Sequence, residues 1–464
     1  MFLWWRVLLL LLFMASLCCA QEEKLLLNIE NALTRALAYN RTLINSAQNL
    51  LNTEFNVELA KSAFDIKFTP SSRAGITGGG AGGEGFSIGG GIDFSKRSIY
   101  GTHVTLGPSV VKTKQHYASE LRYVVSQPLL RGFGVEYQLS GVRAAEFANR
   151  TARRNLFTSQ VQLAVRTLVA LYDIIKAQKA VELSQESYQR IFSYHQAAKL
   201  KAQIGLSDAL DVYRAEIELR QAQDTLTSSQ ERLQEVEDTL RDMLALPLNI
   251  PFEVQVPLVY TPSYVSVDQA IQLALENRIE IEQGIDQWRE AYRLAGIAKK
   301  DLLPELNLVF NYNNTGRHEI FSDTWRGRRE STWGVGFTTS TNYDPLGDQF
   351  AYDQSQCAIQ TAERDLEQVK STLILEIKRA VRQLERCYKR ILLQEEQMHS
   401  SQGELHLAKL KFDRGMANNF DVIQAEKNYR SAEQTYWNAL IDHIIGEYQL
   451  LQAMGCLTDK PCVQ

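Results

Sequence analysis

Few residues in this chain combine the type and the spacing that chemistry requires. The run Gly78–Gly83 is rich in glycine, as phosphate-binding loops are, but no Lys-Ser/Thr pair follows it, so a surface loop is predicted. His399 and His406 lie two turns apart on one predicted helix, too far to share a metal ion without a ligand between them. Ser-His-Asp sets, metal-ligand spacings and paired carboxylates are also missing from the sequence. We therefore predict no enzymatic activity, no metal site and no cofactor.

The amino-terminal segment predicts export. Arg6 precedes an almost wholly apolar run at 7–17, and small residues at 18–20 favour signal-peptide cleavage after Ala20. A signal anchor and lipidation at Cys18 or Cys19 are the alternatives. No later apolar run reaches about 18 residues, and an exported chain without a membrane helix is either soluble or a β-barrel. The net charge of −4 and the pI near 6.1 give no support for nucleic-acid binding.

The chain contains an internal repeat. The pattern from Ala198 to Glu216 recurs 210 residues later, from Ala408 to Glu426. An upstream match of 29–33 with 267–271 has an offset of 238 residues, so the first copy is 28 residues longer between the two matches. The predicted organisation is a signal peptide at 1–20, a first repeat at 21–250, a linker at 251–264, a second repeat at 265–455 and a tail at 456–464.

Each copy has the same predicted order of elements. A shorter helix (28–63 and 267–302) is followed by an extended stretch (66–130 and 305–345), a long helix (136–203 and 348–413) and, after a glycine turn, a last long helix (208–245 and 419–454). The longest helix has roughly 68 residues, or about 100 Å of helical rise. Mainly apolar residues recur at a spacing of three and four from Leu219 to Met243 and from Val422 to Leu450, which is typical of a coiled-coil seam.

The extended stretches alternate with period two. Aromatic and aliphatic residues share one face, and polar residues or glycine share the other, in 120–126, 306–313 and 333–338. Membrane-barrel strands alternate in this way, and so do half-buried strands of soluble sheets. Two main strands per copy give four per chain, too few to close a membrane barrel, so closure requires eight strands from a dimer or twelve, with room for a channel, from a trimer. An additional extracellular hairpin would account for the extra residues around 78–114.

On these residues the chain resembles the TolC-type outer-membrane efflux and secretion proteins over nearly all of its mature length. The resemblance is carried by the Gly-x5-Asp-Val pattern at 205–212 and 415–422, by the strand end Gln127–Gly132 and by the two-copy organisation. The family implies a mainly α homotrimer with a 12-stranded barrel in the outer membrane, four strands from each protomer, continued by a long helical coiled-coil tunnel in the periplasm. It also implies a periplasmic adaptor and an inner-membrane transporter as partners.

The resemblance assigns roles to the two helix turns. The triplets that match the family's adaptor-facing tips are Ile204-Gly205-Leu206 and Arg414-Gly415-Met416, although glycine there also simply permits a tight turn. Acidic rings narrow the family's tunnel entrance; one ring position matches Asp421, and the next acidic position is Gln424 here. Three Asp421 carboxylates near the axis would favour cations. Helix capping is the alternative interpretation, and for Asp211 at the equivalent position it suffices.

The closing latch of the family is not retained. Its tyrosine and arginine match Phe412 and Ala417, which lack the hydroxyl and the guanidinium, and its threonine partner matches Leu210, whereas its aspartate partner matches Asp211. We therefore expect the constriction to be held by other means. The alternatives are apolar packing of Phe412 and Leu210, or the charges of Lys409, Lys411, Asp413 and Arg414.

Together these features predict an outer-membrane channel subunit of a tripartite efflux or type I secretion system, exporting small molecules or proteins. Its predicted location is the outer membrane of a Gram-negative-type cell, in contact with lipid and with a large periplasmic part. A soluble periplasmic coiled-coil scaffold or adaptor is the alternative, which explains the helices but not the alternating strands. The remaining pair Cys456 and Cys462 flanks a short loop and is either a local disulfide or two free thiols.

Overall fold

The computed structural model describes residues 25–77, 85–113, 116–204, 208–258, 265–326, 329–340 and 346–457. The predicted signal peptide with its alternatives, the glycine run at 78–83 and Cys462 lie outside these residues. In chain order the described helices and strands are β1 (Leu25–Leu27), α1 (Ile29–Tyr39), α2 (Arg41–Lys61), β2 (Lys67–Thr77), β3 (Gly85–Arg97), β4 (His103–Lys112), β5 (Tyr117–Pro128), α3 (Ser140–Gln203), α4 (Ala209–Met243), β6 (Phe252–Val254), α5 (Val267–Asn277), α6 (Ile279–Asp301), β7 (Glu305–His318), β8 (Arg329–Ser340), α7 (Leu346–Asp413) and α8 (Asn419–Met454). Single helical turns precede α3 and β8.

The two halves of the chain build the same helical unit. Helix α1 buries Ala32 and Ala36 against α3 and α4, and α5 buries Ala270 and Ala274 against α7 and α8; all four alanines are inaccessible to solvent. Alanine at these positions lets the helices approach closely, because a larger side chain has no room in a close-packed interior. The two-copy organisation that was predicted from sequence self-similarity is confirmed.

Each predicted shorter helix is in fact two helices. The breaks occur at Asn40 between α1 and α2 and at Arg278 between α5 and α6. Asn40 Nδ2 donates to the carbonyl of Met243 at 3.0 Å, and Arg278 Nη1 donates to the carbonyl of Gln452 at 3.2 Å. Each break is therefore tied by a side chain to the carboxyl end of the last helix in its half, where backbone carbonyls lack helical partners.

The helical body is long because α3 and α7 run for 64 and 68 residues, or about 100 Å. The predicted seam of α4 is confirmed, since Ala222, Val236 and Leu240 are buried. The polar step in that seam is Ser229, whose hydroxyl lies 3.1 Å from the hydroxyl of Ser184 on α3. The polar residue is accommodated by a matching polar residue rather than by a distortion of the helix.

The strands form one antiparallel sheet in the order β2-β3-β4-β5-β7-β8. The predicted alternation is confirmed by the register, because Tyr123 pairs with Tyr312, which in turn pairs with Trp333 on the same face. That face is open to solvent in the single chain, with Trp333 exposed by 74% and Phe337 by 69%. The opposite face carries Asn307, Asn311 and Asn313 of β7 and the glycines of β8.

The number of strands in this sheet differs from the expectation of four per chain, since the described sheet has six. The additional pair is β3 and β4, which together with their turn span 85–112 and account for the greater length of the first copy. The hairpin does not extend beyond the sheet but is inserted into its middle, between β2 and β5. Glycines at 89–91 obscure the period-two pattern of β3 in the sequence.

The segment predicted as a linker carries a short strand. Leu25, Leu26 and Leu27 of β1 pair in parallel with Phe252, Glu253 and Val254 of β6, so the beginning of the described chain is fastened to the junction between the two halves. Among the described residues, none of the helices is long and apolar enough to cross a membrane.

Candidate functional site

The turn between α7 and α8 forms one of two neighbouring tips at the end of the helical body. Gly415 has a φ of 71° and donates its N–H to the carbonyl of Phe412 at 3.0 Å, while Met416 donates to Lys411 at 2.8 Å. These two bonds make a Schellman motif, which satisfies carbonyls that the helix end would leave open. Arg414 and Met416 are exposed there, as is Ile204 at the end of α3. The other two predicted tip residues, Gly205 and Leu206, lie outside the described residues.

Asp421 takes part in capping of α8. Its Oδ2 accepts the backbone N–H of Asn418 at 3.1 Å, which places Asn418 at the N-cap and Asp421 three residues later, as in a capping box. The equivalent N-cap of α4 is Asp208, and Asp211 occupies the same third position as Asp421. The aspartates of the repeated motif are therefore not N-caps themselves, since the residue that begins each helix lies three positions earlier.

Asp421 and Gln424 are exposed on one face of α8, a single turn apart. Gln424 Nε2 donates to Asn428 Oδ1 at 3.1 Å, and Asn428 Nδ2 donates to Glu404 on α7 at 3.3 Å. The polar strip thus continues up the helix beyond the predicted pair and includes a carboxylate from the neighbouring helix. Capping uses one oxygen of Asp421, so its charge is still available to an ion or to another copy of the chain.

Phe412 lies against a cation at the tips. The ammonium of Lys201, on α3, lies 3.5 Å from the centre of the Phe412 ring, a cation–π contact that joins the two tips. Leu210 is half exposed at the start of α4. The ring that replaces the family's tyrosine therefore has a cationic partner within its own chain.

A buried ion network lies just above the tips. Glu426 on α8 is fully buried and pairs with Arg190 of α3 through Oε1, while its Oε2 lies 4.0 Å from Lys409 Nζ of α7. Arg430, one turn above, is also buried, and burial together with the charge of Arg190 lowers its pKa. Burial and the charge of Glu426 raise the pKa of Tyr194 to about 12. The network joins three of the four long helices.

Sequence reasoning missed this network although the repeat contains its central residue. The matching glutamate of the first copy is Glu216, which lies on the surface of α4 and pairs with the exposed Arg220 at 2.9 Å. Hydrogen bonding to Arg220 lowers the pKa of Glu216. The same Ala-Glu dipeptide is thus a surface pair in one copy and a buried tie in the other, and only the packing of α8 between the other helices distinguishes them.

A second cluster connects the halves near the sheet. Asp286 of α6 lies 2.7 Å from Arg154 Nη2 and 3.2 Å from Arg150 Nε, both on α3. Burial alone would raise the pKa of Asp286, but hydrogen bonds and charges from the two arginines outweigh it and hold the pKa below its ordinary value. Closer to the strands, Arg131 bridges Asp301 at 3.2 Å and Asp348 at 3.0 Å, so the conspicuous strand end at 127–132 anchors the sheet to the helices.

Comparison with known proteins agrees with this architecture. Residues 270–456 match the family model of the outer membrane efflux proteins. The chain is 21% identical over 336 residues to the outer membrane protein TolC of Vibrio cholerae, and the matched region covers 70% of this chain and 75% of that protein. The predicted resemblance to TolC-type proteins is confirmed.

Solved structures extend the likeness to the whole fold. The outer membrane protein VceC of Vibrio cholerae has a TM-score of 0.73 at 14% identity, covering 92% of this chain and 96% of that one. The CmeC outer membrane channel of Campylobacter jejuni has a TM-score of 0.72 at 14% identity, covering 92% and 85%. The predicted fold class, a long helical body that carries a β-sheet and has two repeats, is confirmed.

Proposed function

From its match to the outer membrane efflux proteins and its channel-type fold, we infer that this chain is one subunit of an outer-membrane export channel. The observation that carries the inference is the aromatic face of the sheet, displayed at one end of a helical body about 100 Å long. An aromatic and aliphatic surface in register across several strands suits contact with lipid. The relatives are channel proteins, which favours transport over catalysis.

The channel is completed by other copies of the chain. Within the described sheet, β2 and β8 each pair on one side only, and open strand edges are not stable in a bilayer. Joining β2 of one copy to β8 of the next closes the wall, and a homotrimer is the state we propose. The long helices of the three copies then form a tunnel below the barrel, on the periplasmic side of the outer membrane.

The tips are the proposed contact with a periplasmic adaptor, which links the channel to an inner-membrane transporter. Ile204, Arg414 and Met416 are exposed at the tips and so are accessible to a partner. Asp421 and Gln424 are the proposed pore-lining residues, with one Asp421 carboxylate from each copy at the constriction. The system so formed exports small molecules or proteins by tripartite efflux or type I secretion.

A soluble periplasmic scaffold is the competing function. Long helices with coiled-coil seams would suit it, but it gives no reason for the exposed aromatic residues of β7 and β8. Exposed apolar surface of that extent is unfavourable in water unless a partner or a membrane covers it.

Mass measurement by light scattering, on protein extracted from outer membranes in mild detergent and corrected for bound detergent, tests the assembly. A trimer is expected. A stable monomer, or a protein that leaves the membrane without detergent, would favour the scaffold and overturn the channel.

Charge selectivity of the reconstituted channel tests the role of Asp421. Asp421→Asn keeps an oxygen that can accept the Asn418 N–H but removes the charge, so cation selectivity is expected to fall while thermal stability changes little. Asp211→Asn is the matched control from the first copy and is expected to have less effect on selectivity. Equal selectivity in both variants and in the unmodified protein would remove Asp421 from the pore.

A further inference from the structure

The extra hairpin of β3 and β4 has every property of a barrel wall. Strands β2, β3, β4, β5, β7 and β8 contain between 10 and 14 residues, and about 9–11 suffice for a tilted strand to cross a bilayer. The ladders join β2 to β3, β3 to β4 and β4 to β5, and the only gap is a two-residue one at Ile92 and Asp93 in the β3–β4 ladder. If the hairpin lay outside the wall, β2 would have to leave β3 and pair with β5, and two full ladders would be lost.

The hairpin also continues the apolar face. Phe94 of β3 pairs with Phe68 of β2 on one side and with Leu106 of β4 on the other, and Leu106 pairs with Tyr123 of β5. The rings of Phe68 and Phe94 meet edge to face at 5.4 Å. This row joins the aromatic row of β5, β7 and β8, so a single apolar surface crosses all six strands.

The opposite face is continuous as well. Asp93 of β3 reaches across β4 to Arg122 of β5, with Oδ1 and Nη2 3.6 Å apart. The contact passes over Gly107, where a Cβ would lie 2.3 Å from Asp93 Oδ1. Glycine at this position leaves room for an ion pair between strands that are not neighbours. This ion pair connects the hairpin to β5, a strand that was predicted from the sequence.

The turn of the hairpin is seated at the junction with the helices. Gln127 Nε2 lies 3.4 Å from the carbonyl of Tyr100, and the hydroxyl of Thr102 donates to Gln127 Oε1. Gly101 packs against Pro128 and Gly132, the strand end that is anchored to α6 and α7 through Arg131. The hairpin therefore spans the full height of the sheet, from the helical junction to the opposite rim.

We propose that three copies of this chain close a barrel of 18 strands, whose lumen admits solutes too wide for a barrel of twelve. Six strands per copy give this number, and because barrel diameter grows roughly in proportion to strand number, the barrel is about 1.5 times as wide as one of twelve strands. Selection by size then occurs at the helical tips and not in the outer membrane. The proposal rests on the trimeric channel of the preceding section.

Cryo-electron microscopy of the full-length protein in lipid nanodiscs is the direct test, since cross-sections through the barrel count its strands. Eighteen strands are expected. A closed barrel of twelve strands with β3 and β4 outside the wall would overturn this proposal and leave the channel intact. Particles without a shared barrel would overturn both.

Deletion of residues 85–116 supplies a functional test, because it joins β2 to β5 through the segment 78–84. Polyethylene glycols of graded size are added on the barrel side of a planar bilayer, and the largest polymer that enters is determined. The limiting polymer diameter is expected to fall by about a third in the deletion variant. An unchanged limiting polymer diameter in a folded, trimeric deletion variant would contradict the wider barrel.

A pair of substitutions on neighbouring residues covers the case in which the deletion does not fold. Phe94 lies on the apolar face and Ser95 on the opposite face of the same strand. Phe94→Lys is expected to reduce the yield of heat-stable trimer in the outer membrane, whereas Ser95→Lys is expected to preserve it, because only the first places a charge against lipid. Equal trimer yields for the two variants would place the hairpin outside the wall.

Discussion

Replacing Arg190 with methionine is expected to destabilise the tip end of the helical body. The substitution retains an apolar stem but removes the guanidinium that pairs with the fully buried Glu426. The cations that remain near the carboxylate are Lys409, 4.0 Å away and 42% exposed, and the buried Arg430 one turn above. A buried charge that loses its main partner must either stay uncompensated, take up a proton or draw water into the interior.

The expected loss is set by the less costly of these responses. Removing one partner of a buried ion pair costs about 3–5 kcal/mol. With some compensation from Lys409 and Arg430, we expect a loss of about 2–4 kcal/mol near neutral pH.

Urea unfolding of the detergent-solubilised protein, followed by far-ultraviolet circular dichroism, measures this loss from the shift in midpoint. Arg220→Met is the matched control, since it breaks the exposed pair with Glu216 at the equivalent place in the first copy and is expected to leave the midpoint unchanged. The double variant Arg190→Met/Glu426→Leu is expected to recover most of the stability, because the unpaired carboxylate is gone and the buried Arg430 keeps its contacts with Glu186 and Glu433. Equal midpoints for Arg190→Met and Arg220→Met, or a double variant no more stable than Arg190→Met, would refute the reasoning.

Three further predictions use the same urea midpoints. Gly415→Ala is expected to cost about 1–2 kcal/mol of left-handed backbone strain; a steric clash does not add to it, because a Cβ there would meet no atom within 4 Å. Ala245 has a φ of 50°, so Ala245→Gly is expected to gain up to about 1 kcal/mol of stability. A loss of stability in both variants would contradict the assignment of strain. Burial lowers the pKa of His443, so the folded protein resists protonation of this imidazole. The contribution of His443 to stability is therefore full above the unfolded-state pKa of 6.5 and declines as the pH falls below that value, and His443→Leu should remove the decline. Asp286→Asn is expected to cost about 3 kcal/mol or more, whereas Arg289→Ala, which removes an exposed cation 3.8 Å from the same carboxylate, should cost little; equal costs would show that burial does not govern the cluster.

The helical part of the fold was predictable because two independent patterns agree on it. The offset of 210 residues between the copies places α3 and α4 opposite α7 and α8, and the spacing of apolar residues supplies their faces. The breaks at Asn40 and Arg278 were not predicted, since neither residue is a glycine or a proline. Asn40 also caps α2 locally, since its Oδ1 accepts the N–H groups of Thr42 and Leu43, and Asn is a preferred N-cap residue. The hydrogen bonds of Asn40 and Arg278 to carbonyls about 170 to 200 residues away are not revealed by any local pattern.

The sheet was predicted in kind but not in number. Strands β5, β7 and β8 alternate clearly, whereas β3 contains Gly89-Gly90-Gly91 and so lacks a side chain on both faces where the pattern should be strongest. The available signal for the extra hairpin was the 28 residues by which the first copy exceeds the second. The hairpin belongs to the sheet through ladders and through Phe94 and Asp93, which become informative only when β4 lies beside them.

The candidate site was predictable in position and less so in chemistry. Gly415 and Asp421 mark the turn between α7 and α8, but an aspartate three residues into a helix can cap, carry charge or do both. Asp421 makes the capping contact, whereas its proposed pore role depends on how the copies of the chain assemble. The buried tie of Glu426 to Arg190 joins residues from different copies of the repeat and is visible only in the packed structure.

The parallel pairing of β1 with β6 has a consequence for the order in which the chain matures. Leu25 must wait for Phe252, roughly 230 residues further on, before its strand has a partner. At ribosomal rates of about 5–20 residues per second, that delay is on the order of 10–50 s. During this time β1 is an unpaired strand that a protease can cut or a chaperone can hold. The pairing of β1 with β6 is thus the last step in folding the first half, and a fusion placed before β1 would hinder the completion of folding rather than its start.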